Sequence, residues 1–143
     1  MLGEQNTQEE LLTVFHHDAQ WWRRTLGYIE TETHFIDLLL AAQIYKENTP
    51  NLFERLQQFK HEMGTKSREA KDLKKTLEAY EDKLQGILEC QDISCDTYYL
   101  ENHKELKNRF EEFYASFNTY KMGLFNYMEG GSLNSFPTEK ILL

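Results

Sequence analysis

The chain has 143 residues, 28% of them charged, and 24 Asp and Glu against 16 Lys and Arg give a formal net charge of −8. This length fits one domain with a substantial core. The acidic balance argues against nucleic acid as a partner, because binding to a phosphate backbone needs a basic surface. No stretch approaches the ~18 consecutive apolar residues of a membrane span. With no basic region and apolar run at its start, the sequence predicts a cytoplasmic protein without membrane partners.

The first predicted helix runs from about Thr7 to about Glu47 and carries two apolar stripes. Thr7 and Glu10 have the spacing of a capping box, which opens a helix. Two parallel stripes suit a helix that contacts two neighbours at once. The main stripe comprises Leu12, Phe15, Ala19, Trp22, Leu26, Ile29, Thr33, Ile36 and Leu40. The second stripe comprises Leu11, Val14, Trp21, Tyr28, Phe35, Leu39 and Ala42.

The second predicted helix begins at a short turn and reaches about Cys90. Thr49 is the expected N-cap, and Pro50 then takes the first helical position, where its missing N–H costs nothing. Its apolar ladder alternates steps of three and four residues, as in a coiled coil, with one polar interruption at Lys66. The ladder comprises Leu56, Phe59, Met63, Lys66, Ala70, Leu73, Leu77, Tyr80, Leu84 and Ile87.

The third predicted helix follows a connector at residues 92–97, where Ser94 or Asp96 is the expected N-cap. It continues to about Glu129 and ends at two consecutive glycines, which favour termination. Its ladder follows the same spacing rule and is rich in aromatic residues. The ladder comprises Tyr99, His103, Leu106, Phe110, Phe113, Phe117, Tyr120, Leu124 and Tyr127.

These segments predict an all-α protein, an antiparallel bundle of three long coiled-coil-like helices joined by short turns. A kink at Gly27 would divide the first helix and raise the count to four. The domain is expected to span residues 1–131, and residues 132–143 form a flexible C-terminal tail. The helices offer more apolar surface than a lone three-helix bundle needs, so a homodimer or a bound partner helix is expected.

A histidine pair is the candidate ligand site. His103 occupies a ladder position of the third helix, and His17 flanks the apolar stripes of the first. In an up-down-up arrangement both lie at a similar height, so they could bind a metal ion or a small ligand, with Asp18 or Tyr80 as a further partner. The alternative, which is commoner, is a core histidine hydrogen-bonded to a tyrosine or water.

Two further pairs stand out. Trp21 and Arg24 could form a hot spot for a protein partner. In the alternative, the neighbouring tryptophans divide between the two stripes and the arginines are solvated. Cys90 and Cys95 could close a small disulfide as a redox pair, but two free thiols are favoured for a cytoplasmic protein.

The chain lacks the parts of an enzyme. It contains no Glu-x-x-His pair of the di-iron bundles, no nucleophile with its base and no phosphate loop. No catalytic residue, metal-ligand set or cofactor is therefore predicted. The favoured function is a non-enzymatic interaction or scaffolding module that self-associates. The alternative is a bundle that binds a small ligand or a metal ion, including one linked to stress.

A loose resemblance covers the first two helices. The order of His17, Gln20 and Trp21, an acidic and aromatic stretch to Leu40, the turn at residues 48–49 and a polar second helix resembles a group of small uncharacterised bacterial helical-bundle proteins. The resemblance implies a long helical hairpin packed by a third helix and a cytoplasmic setting. It implies no activity.

Overall fold

Three long helices form nearly all of the described chain. The computed structural model describes the backbone at residues 2–42 and 44–132, and side chains at residues 7–42 and 44–130. The predicted all-α fold with three long helices is confirmed. The predicted tail lies outside the described residues apart from the backbone of Ser132. The helices are α1 (Leu2–Ala41), α2 (Leu52–Lys83) and α3 (Ile93–Tyr127), with a 3₁₀ segment (Leu84–Glu89) after α2 and a π-helical turn (Met128–Ser132) after α3.

Helices α1 and α2 are antiparallel. Arg23 of α1 pairs with Glu81 of α2 at 2.8 Å, and Glu30 of α1 pairs with Lys74 at 3.2 Å. As the residue number rises along α1, the number of its partner in α2 falls. Three of the four side chains are 41–52% exposed, whereas the Glu81 side chain is 11% exposed. Ion pairs with exposed members contribute little to stability, but these two fix the register of the hairpin.

Helices α1 and α3 are parallel. The Gln8 side-chain amide lies 3.3 Å from a carboxylate oxygen of Asp96, and the Lys121 ammonium lies 2.6 Å from Glu32. Partner numbers therefore rise together along these two helices. The up-down-up arrangement places the start of α1, the turn between α2 and α3, and the start of α3 at one end of the bundle.

The three predicted ladders form one core. Helices bury a single apolar stripe most effectively when side chains recur at three- and four-residue steps, and the three stripes meet along the bundle axis. The most completely buried large side chains are Phe110, Phe117, Leu26, Ile29, Ile36, Met63, Leu77, Ile87 and Leu124.

The second stripe of α1 is covered by a neighbouring helix in part: Trp21 contacts α3, whereas the centre of the stripe is exposed. Tyr28 is 64% exposed and Phe35 is 59% exposed. The reason is that α3 packs over the main ladder, so the second stripe borders α3 along one flank and its centre faces outwards. Its exposure leaves a long apolar surface on the bundle.

The first turn begins earlier than predicted because a tyrosine folds back into the core. Helix α1 ends at Ala41 rather than near Glu47. The buried Tyr45 side chain donates a hydrogen bond from its hydroxyl to the Leu39 carbonyl at 2.7 Å, and this carbonyl at the helix end also accepts from the Ala42 N–H at 3.3 Å. Helix α2 then starts at Leu52, after Asn51 adopts a left-handed conformation with φ 56°, which asparagine tolerates better than most residues.

The second turn is capped by Asp92, not by the predicted Ser94 or Asp96. The Asp92 carboxylate accepts a hydrogen bond from the backbone N–H of Cys95 at 2.9 Å. Helix α2 ends at Lys83 instead of near Cys90, and the following 3₁₀ segment buries Leu84 and Ile87. The helix thus narrows to a 3₁₀ segment before the chain turns back into α3.

The kink considered at Gly27 does not interrupt α1, and the polar ladder position at Lys66 does not interrupt α2. Helix α1 continues through Gly27, and α2 continues through residues 63–67. At the polar ladder position, the Lys66 ammonium leaves the core to contact the hydroxyl of Ser116 on α3. No helix in the described part of the chain is both long and apolar enough to cross a membrane.

Two glycines in different surroundings give a matched test of the packing. We expect Gly27→Ala to stabilise the protein by about 0.5–1 kcal/mol, because alanine favours the helix and its Cβ would meet no neighbouring atom. Gly86→Ala should destabilise by about 1–2 kcal/mol, because its Cβ would overlap the Tyr99 hydroxyl. The free energy of unfolding in urea measures both changes. Equal effects of the two substitutions would contradict the packing of Tyr99 on the 3₁₀ segment.

Candidate functional site

One polar group from each helix meets inside the bundle. His103 of α3 is only 5% exposed. Its Nε2 atom lies 2.9 Å from a carboxylate oxygen of Asp18 on α1. Its Nδ1 atom is hydrogen-bonded to the hydroxyl of Tyr80 on α2. Both ring nitrogens therefore have partners, as burial of an imidazole requires.

Aromatic rings enclose the imidazole of His103. The Phe15 ring stacks on it at a centroid distance of 3.9 Å and an interplanar angle of 11°. The Trp22 ring lies 5.1 Å away at 29°. Since both residues come from α1, one face of that helix excludes water from the histidine and holds its ring plane.

The surroundings keep His103 neutral. Burial lowers the pKa of His103 below the ordinary value of 6.5. The hydrogen bond and negative charge of Asp18 oppose this lowering, and the positive charge of Lys107 adds to it. In a neutral imidazole that is bonded to a carboxylate, Nε2–H donates to Asp18 and Nδ1 accepts from the Tyr80 hydroxyl.

Tyr80 stays protonated as the donor of this chain. Burial raises the pKa of Tyr80 above its ordinary value, and the charges of Asp18 and Glu81 raise it further. The Asp18–His103–Tyr80 chain links one side chain from each helix, and the imidazole at its centre is buried. The arrangement fits a buried polar anchor that joins three helices.

The structure does not bring His17 to His103. His17 is exposed, and the two nitrogens of His103 are occupied by Asp18 and Tyr80. The predicted histidine pair is therefore replaced by the commoner arrangement, a core histidine bonded to a tyrosine. The two further partners named from the sequence, Asp18 and Tyr80, are the residues that contact His103. Asp18 lies three residues after Phe15 and four before Trp22, on the edge of the core stripe.

The described side chains contain no metal-ligand cluster. No group of three or more His, Cys, Asp or Glu residues among them is arranged to hold a metal ion. His103 already forms hydrogen bonds through both nitrogens, so binding a metal would break one of them. The Asp18–His103–Tyr80 chain thus stands as a hydrogen-bonded network.

The second candidate pair lies on the surface of α1. Trp21 is 47% exposed, and its ring edge contacts Phe110 at 5.4 Å and Tyr114 at 6.3 Å between centroids. Arg24 is exposed on the next turn. The adjacent Arg23 pairs with Glu81, so the two neighbouring arginines have different surroundings.

Trp21 belongs to a longer exposed apolar surface, which we call the α1/α3 face. Four of its members recur every seven residues along α1, and each is at least 47% exposed. Helix α3 adds the rings of Tyr114 and Phe125. Tyr114 contacts Trp21, and Phe125 lies level with Phe35, because the nearby Lys121 pairs with Glu32. The α1/α3 face comprises Val14, Trp21, Tyr28, Phe35, Tyr114 and Phe125.

The cysteine pair forms a disulfide in this structure, in contrast to the favoured expectation of two free thiols. Cys90 and Cys95 have Cα atoms 5.4 Å apart, within the range that a disulfide spans. The Asp92 cap brings them together, because it starts α3 close after the 3₁₀ segment. The Gln8 amide donates to the Cys90 carbonyl at 3.0 Å, which ties this loop to α1.

The neutral, buried His103 makes stability depend on pH. Its folded pKa lies below 6.5, so below that pH the unfolded chain binds more protons than the folded protein. We expect the free energy of unfolding to decrease as the pH is lowered from about 7 to about 5. His103→Gln should reduce this fall, whereas His34→Gln, at an exposed histidine, should leave it unchanged. Urea unfolding at each pH gives the values, and equal slopes for both variants would contradict a buried neutral His103.

The disulfide is tested by counting thiols. Protein purified in air without reductant should show no reactive thiol after denaturation and two after reduction. Reduction should lower the free energy of unfolding by about 2 kcal/mol, because the bond closes a short loop in the unfolded chain. Cys90→Ser with Cys95→Ser serves as the control that reductant should not affect. Two reactive thiols before reduction would show that the pair is not bonded.

Comparisons of the chain with protein families, with curated proteins and with solved structures found no match. The resemblance to small bacterial helical-bundle proteins therefore stays a prediction.

Proposed function

We propose that this protein is a non-enzymatic interaction module that self-associates as a homodimer through the α1/α3 face. The observation that carries the proposal is the exposure of four large apolar side chains at seven-residue intervals on one helix: Val14, Trp21, Tyr28 and Phe35. They extend over about 32 Å of α1. Single exposed apolar residues are ordinary, but a row with this period is typical of a helix-packing seam.

The row is suited to pairing with a second copy of itself. In an antiparallel pair of α1 helices centred between residues 24 and 25, Trp21 would lie opposite Tyr28 of the second copy. Val14 would lie opposite Phe35, and His17 opposite Glu32, in the same way. Each contact would occur twice, as two-fold symmetry requires. The tryptophan and tyrosine at the centre are residue types that dominate the energy of many interfaces.

The negative net charge of the chain opposes dimerisation, and the resulting salt dependence distinguishes an apolar interface from an ionic one. The net charge of −8 on each chain makes two copies repel each other at low ionic strength. Salt screens this repulsion and leaves apolar burial intact. A dimer held by the α1/α3 face should therefore tighten as salt is added, whereas one held by surface ion pairs would weaken.

A cytoplasmic setting is part of the proposal and rests on the sequence features given above. In that compartment, cellular reductants keep most thiols reduced. The proposal therefore implies that Cys90 and Cys95 are thiols in the cell and form their bond on oxidation. The α1/α3 face includes neither cysteine, so dimerisation should not depend on their state.

The mass in solution tests the proposal. Light scattering over a range of concentrations should give twice the chain mass of 17.1 kDa, and the dimer should persist to lower concentration in higher salt. Tyr28→Glu should shift the protein to monomer, because a carboxylate would be buried at the centre of the seam. Phe53→Glu is the matched control, since Phe53 is 70% exposed at the start of α2 and away from the α1/α3 face.

Two results would overturn the proposal. A monomer at every concentration and salt level would remove self-association. A dimer that survives Tyr28→Glu as well as it survives Phe53→Glu would place the interface elsewhere. Circular dichroism of each variant confirms that it remains helical.

A further inference from the structure

On the opposite side of α3 from the α1/α3 face, a groove runs between α2 and α3. Its volume is about 570 Å³, within the range of small-molecule sites. We propose that this groove binds a small aromatic molecule that carries an acidic group, such as an aromatic carboxylate or sulfonate. The inference does not depend on self-association, because the two surfaces share no residue.

The floor and walls of the groove suit an aromatic body. The Tyr80 ring forms part of the lining and is fixed, because its hydroxyl is bonded to His103. Ala79 and Thr76 are small and leave space on the α2 side. On the α3 side Tyr98, which is 56% exposed, supplies apolar surface, and the buried Leu106 lies beneath it in the lining. A floor held in place before binding reduces the entropy lost by ordering the site.

Two cations line the groove and give it a preference for anions. Lys83 and Arg109 are on α2 and α3, and neither forms an ion pair within the described part of the chain. The Arg109 guanidinium donates to the Thr76 hydroxyl across the groove at 3.1 Å, which orients it. Lys83 lies seven residues from Thr76, so the two cations are about 10 Å apart along the bundle. One acidic group cannot contact both cations, so a bound aromatic anion would pair with one of them and be attracted by the other at longer range.

The charge balance distinguishes this groove from its neighbours. Its lining includes one carboxylate, that of Glu105, against two cations. The adjoining hollow further along the same helices is lined by two cations, Lys66 and the shared Arg109, against three carboxylates. The acids of that hollow are Glu69, Asp72 and Glu112. In a protein of net charge −8, the groove over Tyr80 is a local site of positive charge.

Binding of 8-anilinonaphthalene-1-sulfonate, an aromatic anion that fluoresces when shielded from water, tests the inference on the full chain. We expect saturable binding that weakens about two- to fivefold in Lys83→Gln and in Arg109→Gln, and more in the double variant. Lys75→Gln removes an equal charge from an exposed position of α2 outside the groove. It should leave the affinity unchanged.

Competition identifies the chemistry of the ligand. Naphthoate should displace the probe, while acetate and naphthol, which lack the ring and the acidic group respectively, should displace it poorly. Equal affinity in the wild type and the Lys83→Gln/Arg109→Gln variant would overturn the proposal. Loss of binding in Tyr28→Glu, with binding retained in Arg109→Gln, would also overturn it, because the probe would then occupy the α1/α3 face. Circular dichroism excludes unfolding as the cause of any loss.

Discussion

Burial of one apolar ladder from each of three helices along a common axis is the constraint on which the rest of the structure depends. Each ladder repeats every seven residues, so the helices must run nearly parallel or antiparallel to keep their stripes in contact. The remaining flank of each helix is then left at an edge of the bundle. The apolar flank of α1 and the mixed aromatic and basic flank of α2 and α3 both arise from this division. The surfaces available for binding are set by the packing of the core.

Each polar residue within the apolar ladders has a hydrogen-bond partner that makes its position in or beside the core possible. Lys66 reaches Ser116 at the edge of the bundle, and the Thr33 hydroxyl donates to the Glu30 carbonyl one turn earlier. His103 cannot reach solvent, so it takes a partner from each of the other two helices. A hydrogen bond has strict requirements of distance and direction, whereas apolar contact tolerates sliding. The His103 network therefore selects one register of the three helices among those that bury the same apolar area.

The ladders were predictable because apolar spacing is a property of each helix alone. Phe117 and Leu26 could be assigned to the core without knowing what they contact. The partner of His103 could not be predicted with the same certainty, because the choice between His17 and Asp18 depends on which flank of α1 faces α3. The exposure of Tyr28 depends on the same relation between helices. The Cys90–Cys95 bond depends on the conformation of a turn, which the Asp92 cap determines and which no periodic pattern records.

The up-down-up order of three helices has a mechanical consequence. Since α1 and α3 are parallel, the described chain enters at the end of the bundle that holds the disulfide and leaves at the opposite end. Helix α3 alone spans about 50 Å. A pulling force on the two ends would thus load the helices in shear along their full length, so many side-chain contacts would have to break together.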